Sequence, residues 1–392
     1  MYKKNYPIPE TAQPVQKSSP QIATFINDSV AKPAINDSID ALAVKEPSSR
    51  ALRFFKAHEF WHPRVFEIPY YFYLAWQCAK NRIGVKSIAK ANYNLYHGEI
   101  GLGSKFETQL AFNQDFFLPT VLIENTSSIA EKKSQIISFI EEHNYPVILK
   151  SDVGCVGKGI VKIDNETELD EKLPILIGNY ILQKFTHYKY ECGIFYIRQG
   201  GVPKITGINE KHFPTVTGNG INSIMELAEQ HIRFTHHWHS FLQKIDTNRV
   251  PAEGEQVVLS FIGSHTLGCK FTDDTHLLNP VLELAIFDVF ADQPGFNFGR
   301  VDVKAESQEA LLKGEFIVIE VNGVASLPTH MFDPKLSVFQ AYKIFFKHAR
   351  YLAKIGREHR HRDMELMSIW NVIKKATSNL AMLNKVHRRL KE

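Results

Sequence analysis

Cysteine is scarce in this chain: four in 392 residues, at positions 78, 155, 192 and 269. The gaps between them fit neither a zinc motif nor the cross-links of a small disulfide scaffold. Long apolar runs are missing too. No stretch approaches the roughly 18 uninterrupted apolar residues that read as a membrane helix, and the first residues lack the apolar core of a secretory leader. Charge of one sign is also lacking. The net charge is +4, from 46 basic and 42 acidic residues, so charge alone implies no nucleic-acid partner. What remains is a globular chain, 44% hydrophobic and 22% charged. It is expected in a reducing cytoplasm and has room for two or three domains.

Against that background one pair of segments stands out. Gly299-Arg300-Val301-Asp302 is followed, 18 residues after its aspartate, by Glu320-Val321-Asn322-Gly323. Phe316 to Val321 reads as a buried strand, and Arg300 to Val303 as its neighbour. Side chains alternate faces along a strand, so Arg300 shares a face with Asp302, and Glu320 with Asn322. Adjacent strands would then present two carboxylates, an amide oxygen and a guanidinium on one surface, a hard-oxygen ligand set for magnesium. Burying two acids without counter-charge is costly, which favours a bound cation. A salt-bridged pair of strand ends is the competing reading.

A second motif lies upstream. Pro146 to Lys150 is a short apolar strand that runs into Ser151-Asp152-Val153-Gly154-Cys155-Val156-Gly157-Lys158-Gly159 and returns through Ile160 to Ile163. Glycines at 154, 157 and 159 would let backbone amides approach a phosphate without interference from Cβ, with Lys150 and Lys158 adding charge. The pattern is neither a Walker A loop nor a Rossmann fingerprint. Alone, such a hairpin is usually only a turn. Followed about 145 residues later by a magnesium-type acid set, it gains weight.

In order and type these motifs resemble the ATP-grasp enzymes, most closely the D-alanine–D-alanine ligase and carboxylate–amine ligase branch. The resemblance covers about residues 92 to 350. It implies that Lys105 and Lys150 are the nucleotide-phosphate lysines, before and within the lid. It implies that Tyr180 to Phe185 is the hinge strand reading adenine through its backbone, with Gln183 where the family usually has Glu, beside Lys184 and Phe185. Glu191 would bind the ribose hydroxyls, and Asp302, Glu320 and Asn322 would hold Mg2+, with Mn2+ able to substitute. Arg300 would lie beside the transferring phosphoryl group. Cys269 to Thr275 resembles a lysine-bearing loop, which makes Lys270 a catalytic candidate. His265, bracketed by Gly263 and Gly268, is a candidate for contact with substrate or phosphate.

The expected fold is α/β (α+β), an ATP-grasp fold in several parts. Residues 1–50 would be a loosely ordered extension and 51–104 a small N-terminal domain. Residues 105–185 would form the lid with its glycine-rich hairpin, 186–355 the catalytic domain, and 356–392 a basic helical tail. Within 51–104, the aromatic run Ile68 to Trp76 is long enough to bury a helix in a core or dimer contact, so a homodimer is possible. Ser128-Ile129-Ala130-Glu131 is a capping-box signature opening a helix to about His143, and Ser223 to Glu226 opens another. The segment Pro214-x-Val-x-Gly-x-Gly before that helix is similar to one in glutamate-ligase-like ATP-grasp proteins, which suggests an amino-acid or peptide-like substrate. Seventeen histidines are present, but His231, His236, His237 and His239 lack the spacing of a zinc site and read as surface residues on a helix.

The resemblance implies an ATP-dependent ligase joining a small-molecule carboxylate to an amine through an acyl phosphate. The alternatives are a phosphotransferase on the same fold and a nucleotide-binding regulator without turnover; fold alone does not separate them.

Overall fold

The computed structural model describes residues 58–100, 103–154, 157–230, 233, 245–265 and 268–390. The expected N-terminal extension, Cys155 and the histidines at 231, 236, 237 and 239 lie outside the described residues. Residues 47–392 form one compact unit.

The helices are α1 (Pro63–Lys80), α2 (Lys105–Leu110), α3 (Ile129–His143), α4 (Glu166–Lys172) and α5 (Ile224–Gln230), then α6 (Pro280–Val289), α7 (Gln308–Leu312), α8 (Val338–Glu358) and α9 (Ile369–Arg389). The strands are β1 (Thr120–Ile123), β2 (Val147–Ser151), β3 (Ile160–Ile163), β4 (Tyr180–Lys184), β5 (Tyr190–Gln199) and β6 (Val202–His212), then β7 (Thr215–Thr217), β8 (Gln256–Val258), β9 (Lys270–Asp273), β10 (Phe298–Ala305) and β11 (Ile317–Asn322). Local chemistry sets many of these ends. Ser128 and Glu131 exchange hydrogen bonds in a full capping box at the start of α3, and Ser337 and Gln340 do the same for α8.

Two antiparallel sheets carry the architecture. The smaller has the order β1-β4-β2-β3 and the larger β11-β10-β5-β6-β9. Leu149, Ile163 and Leu182 of the small sheet pack against Ile136 and Phe139 of α3 in one core. On the large sheet, Val301, Val303 and Val318 face a second core with Leu282, Ile286 and Val289 of α6. The opposite face divides along the strand direction. Phe195, Ile197 and Phe298 are covered by Phe345, Ala349 and Leu352 of α8. Further along the same strands the residues turn charged, and the sheet floors a cleft.

Helix α1 completes the α8 layer. Phe66, Tyr70, Leu74 and Cys78 recur every four residues and are buried, and Tyr70 stacks on Phe345 with ring centroids 3.9 Å apart. The aromatic run is thus core on its inner side, while Ile68, Phe72 and Trp76 on the outer side are exposed. Within the basic tail, Ile369–Arg389 forms α9, which packs behind the glycine-rich hairpin. Leu383 is 1% exposed, and a methyl at Gly154 would come within 3.2 Å of it.

Candidate functional site

Strand β10 lies between β11 and β5, so its alternation organises the cleft. The register pairs Arg300 with Asn322 and Asp302 with Glu320 on one side, and Asp302 with Gly193 and Lys304 with Glu191 on the other. Next comes β6, whose Lys211 is paired with Phe271 of β9. All but Gly193 line a single cleft of about 510 Å³, within the range of small-molecule sites. Gly193 is small for a reason. A methyl there would fall 2.6 Å from Asn209 Oδ1 and 3.0 Å from Asp302 Oδ1.

Asp302 is the hub. Arg300 donates to it twice, Nε to Oδ1 at 2.7 Å and Nη2 to Oδ2 at 3.0 Å. Lys211 Nζ lies 3.4 Å from Asp302 Oδ2, and Asn322 Nδ2 donates to the same oxygen at 3.4 Å. Burial raises the Asp302 carboxyl, but the charges of Arg300 and Lys211 outweigh it and hold the group below the usual carboxylate range. Lys211 also donates to Glu191 at 2.9 Å, and Lys304 lies 3.4 Å from the other oxygen of Glu191. Burial pulls the Lys211 ammonium down, yet Asp302 and Glu191 more than reverse that, and it stays charged.

The opposite wall comes from the small sheet. A β-bulge shifts the β10–β11 register between Asp302 and Val303, so Ile319 has no cross-strand partner. Lys150 Nζ donates to the Ile319 carbonyl at 3.0 Å and to Gln183 Oε1 at 3.3 Å, which ties the two sheets together at the cleft. Burial lowers the Lys150 ammonium to about 8, opposed in part by Glu320. Lys105 Nζ donates to the Gly154 carbonyl at 2.6 Å and lies 3.5 Å from Glu320 Oε1. Gln183 donates to Thr120 Oγ1 at 3.2 Å, so its amide is held at both ends.

Most of the residues expected from sequence meet here. Arg300, His265, Lys105, Lys150, Gly154, Gly157, Lys158, Gln183, Lys184, Phe185, Glu191, Asp302, Glu320 and Asn322 all line the cleft. Two do not. Lys270 opens β9 opposite His212, and alternation turns its neighbour Phe271, not Lys270, towards the cleft. Gly159 lies outside the lining, with a φ of +74° that suits glycine. Gly154 and Gly157 thus line the cleft, while Gly154 and Gly159 both lie against Leu383 of α9. Lys158 is tethered to α9 through Asn384 Oδ1 at 2.6 Å.

His265 has neighbours that the sequence did not announce. Its Nε2 lies 3.6 Å from Glu59 Oε2, and Arg233 closes on the same carboxylate oxygen. Burial lowers the imidazole from its ordinary value, against the opposing pull of Glu59. Lys211 and Lys304 were also missed; the alternation of β10 puts Lys304 on the face of Asp302, whereas nothing local to β6 signals the pairing of Lys211 with Glu191 and Asp302. For Glu59 and Arg233 no local signal exists.

The donor set suits a hard divalent cation, since Asp302, Glu320 and Asn322 offer oxygens on one face of two paired strands. Among the described residues no group of three His, Cys, Asp or Glu side chains is placed to hold a metal, and the third donor here is an amide. Asp302 accepts from Arg300 and Asn322, so a cation would have to displace part of that contact.

No protein-family model matches the chain, and no curated protein matches it. Solved structures similar to it are ATP-grasp enzymes. One is a bifunctional glutathione synthetase from Pasteurella multocida, 16% identical with a TM-score of 0.36, the match covering 66% of this chain and 38% of that one. Another is the D-alanine–D-alanine ligase from Coxiella burnetii, 10% identical with a TM-score of 0.38, covering 71% of this chain and 62% of that one. A third is an N5-carboxyaminoimidazole synthetase from Staphylococcus aureus complexed with ADP, 14% identical with a TM-score of 0.34, covering 68% and 54%. The chain thus spans well under half the length of that glutathione synthetase. Likenesses this distant leave the function to the chemistry of the cleft.

Proposed function

We propose that the chain is an ATP-dependent carboxylate–amine ligase working through an acyl phosphate, with ADP and phosphate released. The observation that carries this reading is the facing of two sets of groups across one cleft. Lys105, Lys150, Lys158 and Lys184 stand on the side of the small sheet and its hairpin, and Asp302, Glu320 and Asn322 on the floor. Cations on one wall and oxygen donors on the other suit a polyphosphate carried with a divalent ion. In this reading residues 105–185 act as the lid, 186–355 as the catalytic part, 51–104 as a small N-terminal part and 356–392 as the tail.

The nucleotide would lie between the sheets, its base beside Gln183, Lys184 and Phe185 and its ribose towards Glu191. Lys105, Lys150 and the amides around Gly154 and Gly157 would hold the phosphates. Asp302, Glu320 and Asn322 would hold magnesium, or manganese in its place, which when bound supplies charge neutralisation at the phosphates. The substrate carboxylate attacks the γ-phosphorus and expels ADP; the neutral amine then attacks the acyl carbon, expels phosphate and gives up a proton to it. Arg300 would stabilise oxyanion charge in both steps, and His265 would contact the substrate. Closure of the lid keeps water from the acyl phosphate. The buried free thiols Cys78, Cys192 and Cys269 suit a cytoplasmic setting.

ADP release tests the proposal. With a panel of carboxylates present, release that requires an added amine supports ligation. Release that needs no amine and leaves a phosphorylated acceptor would assign a phosphotransferase instead. Nucleotide binding without release of ADP under any condition would leave only a regulator.

A further inference from the structure

We infer that the part of the cleft walled by the rings of Phe66, Phe332, His265 and Phe271 is the acceptor subsite, and that it takes a primary amine carrying an apolar body. The inference rests on the ligase reading and adds a substrate class to it. A continuous wall of rings leads from α1 to the acid hub. Phe66 and Phe332 lie 5.6 Å apart between centroids, and Phe332 stacks on His265 at 4.9 Å. His265 then lies 5.4 Å from Phe271. Phe271 is the cross-strand partner of Lys211, which itself reaches Asp302. All five side chains before Asp302 line the cleft. Such a wall favours an apolar or aromatic body, and ring faces attract an ammonium.

The charges in this part of the cleft select the sign of the ligand. Glu59 is already matched by Arg233 and His265. Glu67 is not. It lines the same cleft and accepts from the Tyr71 hydroxyl at 2.8 Å. Among the described residues no basic side chain pairs with it. Burial raises its carboxyl, offset in part by that hydroxyl. A half-buried carboxylate without a counter-charge is costly, and an ammonium from the ligand supplies one. An anionic acceptor would bring its charge against Glu67 with Arg233 already engaged.

Calorimetry on the full chain saturated with a non-hydrolysable ATP analogue tests this, using three probes. They are phenylalaninamide, 3-phenylpropionamide (the same body without the amino group) and L-glutamate. Phenylalaninamide is expected to bind at least about tenfold more tightly than either of the others. Glu67→Gln is expected to remove that advantage while leaving the analogue's affinity unchanged. Glutamate binding as tightly as phenylalaninamide would overturn the inference, as would equal binding of 3-phenylpropionamide or no binding by any probe. If the variant fails to fold, the panel on the unaltered chain decides alone. Titration of the analogue reports the nucleotide reading separately; should it fail, the amine probes are titrated into the free chain and judged by the same criteria.

Discussion

Arg300 holds Asp302 through two parallel hydrogen bonds, at 2.7 and 3.0 Å, from the same face of one strand. The planar fork of a guanidinium meets both carboxylate oxygens, a geometry lysine cannot reproduce. Arg300→Lys is therefore expected to lower thermal stability, by about 1–3 kcal/mol for a damaged buried charge contact. It is also expected to cut turnover about 10²-fold, the scale for losing one transition-state donor. Melting temperature and amine-dependent ADP release on the same preparation separate the two effects. A destabilised variant with full turnover per folded molecule would remove Arg300 from the catalytic residues.

The two acids proposed as metal ligands differ in burial, and their variants should differ accordingly. Asp302 has a side chain 7% exposed beside Lys211 and Arg300, whereas that of Glu320 is 29% exposed beside Lys105. Asp302→Asn leaves two buried cations under-compensated and is expected to cost about 3–5 kcal/mol. Glu320→Gln should cost under about 1 kcal/mol. Both should abolish turnover in the folded fraction. Wild-type ATP consumption by either would refute its assignment as a ligand.

With Lys150 at the phosphates, as proposed, nucleotide binding should depend on pH. Burial lowers its ammonium to about 8, so the side chain is charged below that pH and loses its proton above it. Affinity for ATP should therefore decline as pH rises through about 8, and Lys150→Arg, which stays protonated throughout, should flatten the decline. Lys150→Ala should weaken binding at every pH. Calorimetry at neutral and alkaline pH measures this, and an unchanged slope in the arginine variant would assign the dependence elsewhere.

Two histidines in the α8 layer are expected to weaken the fold in acid. His330 and His348 are buried, and burial pulls both imidazoles down to about 3. The unfolded chain protonates them near the ordinary value of about 6.5. Below that value the unfolded state binds protons that the folded state refuses. The stability present above about 6.5 is then lost as pH falls towards 3, at up to about 1.4 kcal/mol per pH unit for each histidine. His348 lies 2.9 Å from the Thr206 hydroxyl, a contact glutamine could keep. His348→Gln should therefore show a shallower fall in denaturant-measured stability between about pH 6 and 5. An identical slope would show that His348 does not contribute.

Helix α9 braces the hairpin from behind. Leu383→Ala removes a side chain that is 1% exposed and should cost about 2–5 kcal/mol. Limited proteolysis should then cut first within residues 151–160. Unchanged resistance there would mean that α9 is not what holds the hairpin.

The sequence by itself determined which residues share a face. A strand alternates with a period of two, so Arg300 with Asp302 and Glu320 with Asn322 were readable before any coordinates, and their register bears this out. Capping boxes and glycine spacing likewise act within a few residues, and the α3 start stands where the sequence placed it. Tertiary structure decided the rest. It paired Lys211 with Asp302 and Glu191, joined Arg233 to Glu59 across 174 residues of chain, and turned Lys270 out of the cleft lining. It also laid α9 against the hairpin, 226 residues from Lys158 to Asn384. Local periodicity orients a side chain relative to its neighbours in sequence. Which distant element it then meets depends on how whole faces pack to bury their apolar surface, and no short window of sequence contains that information.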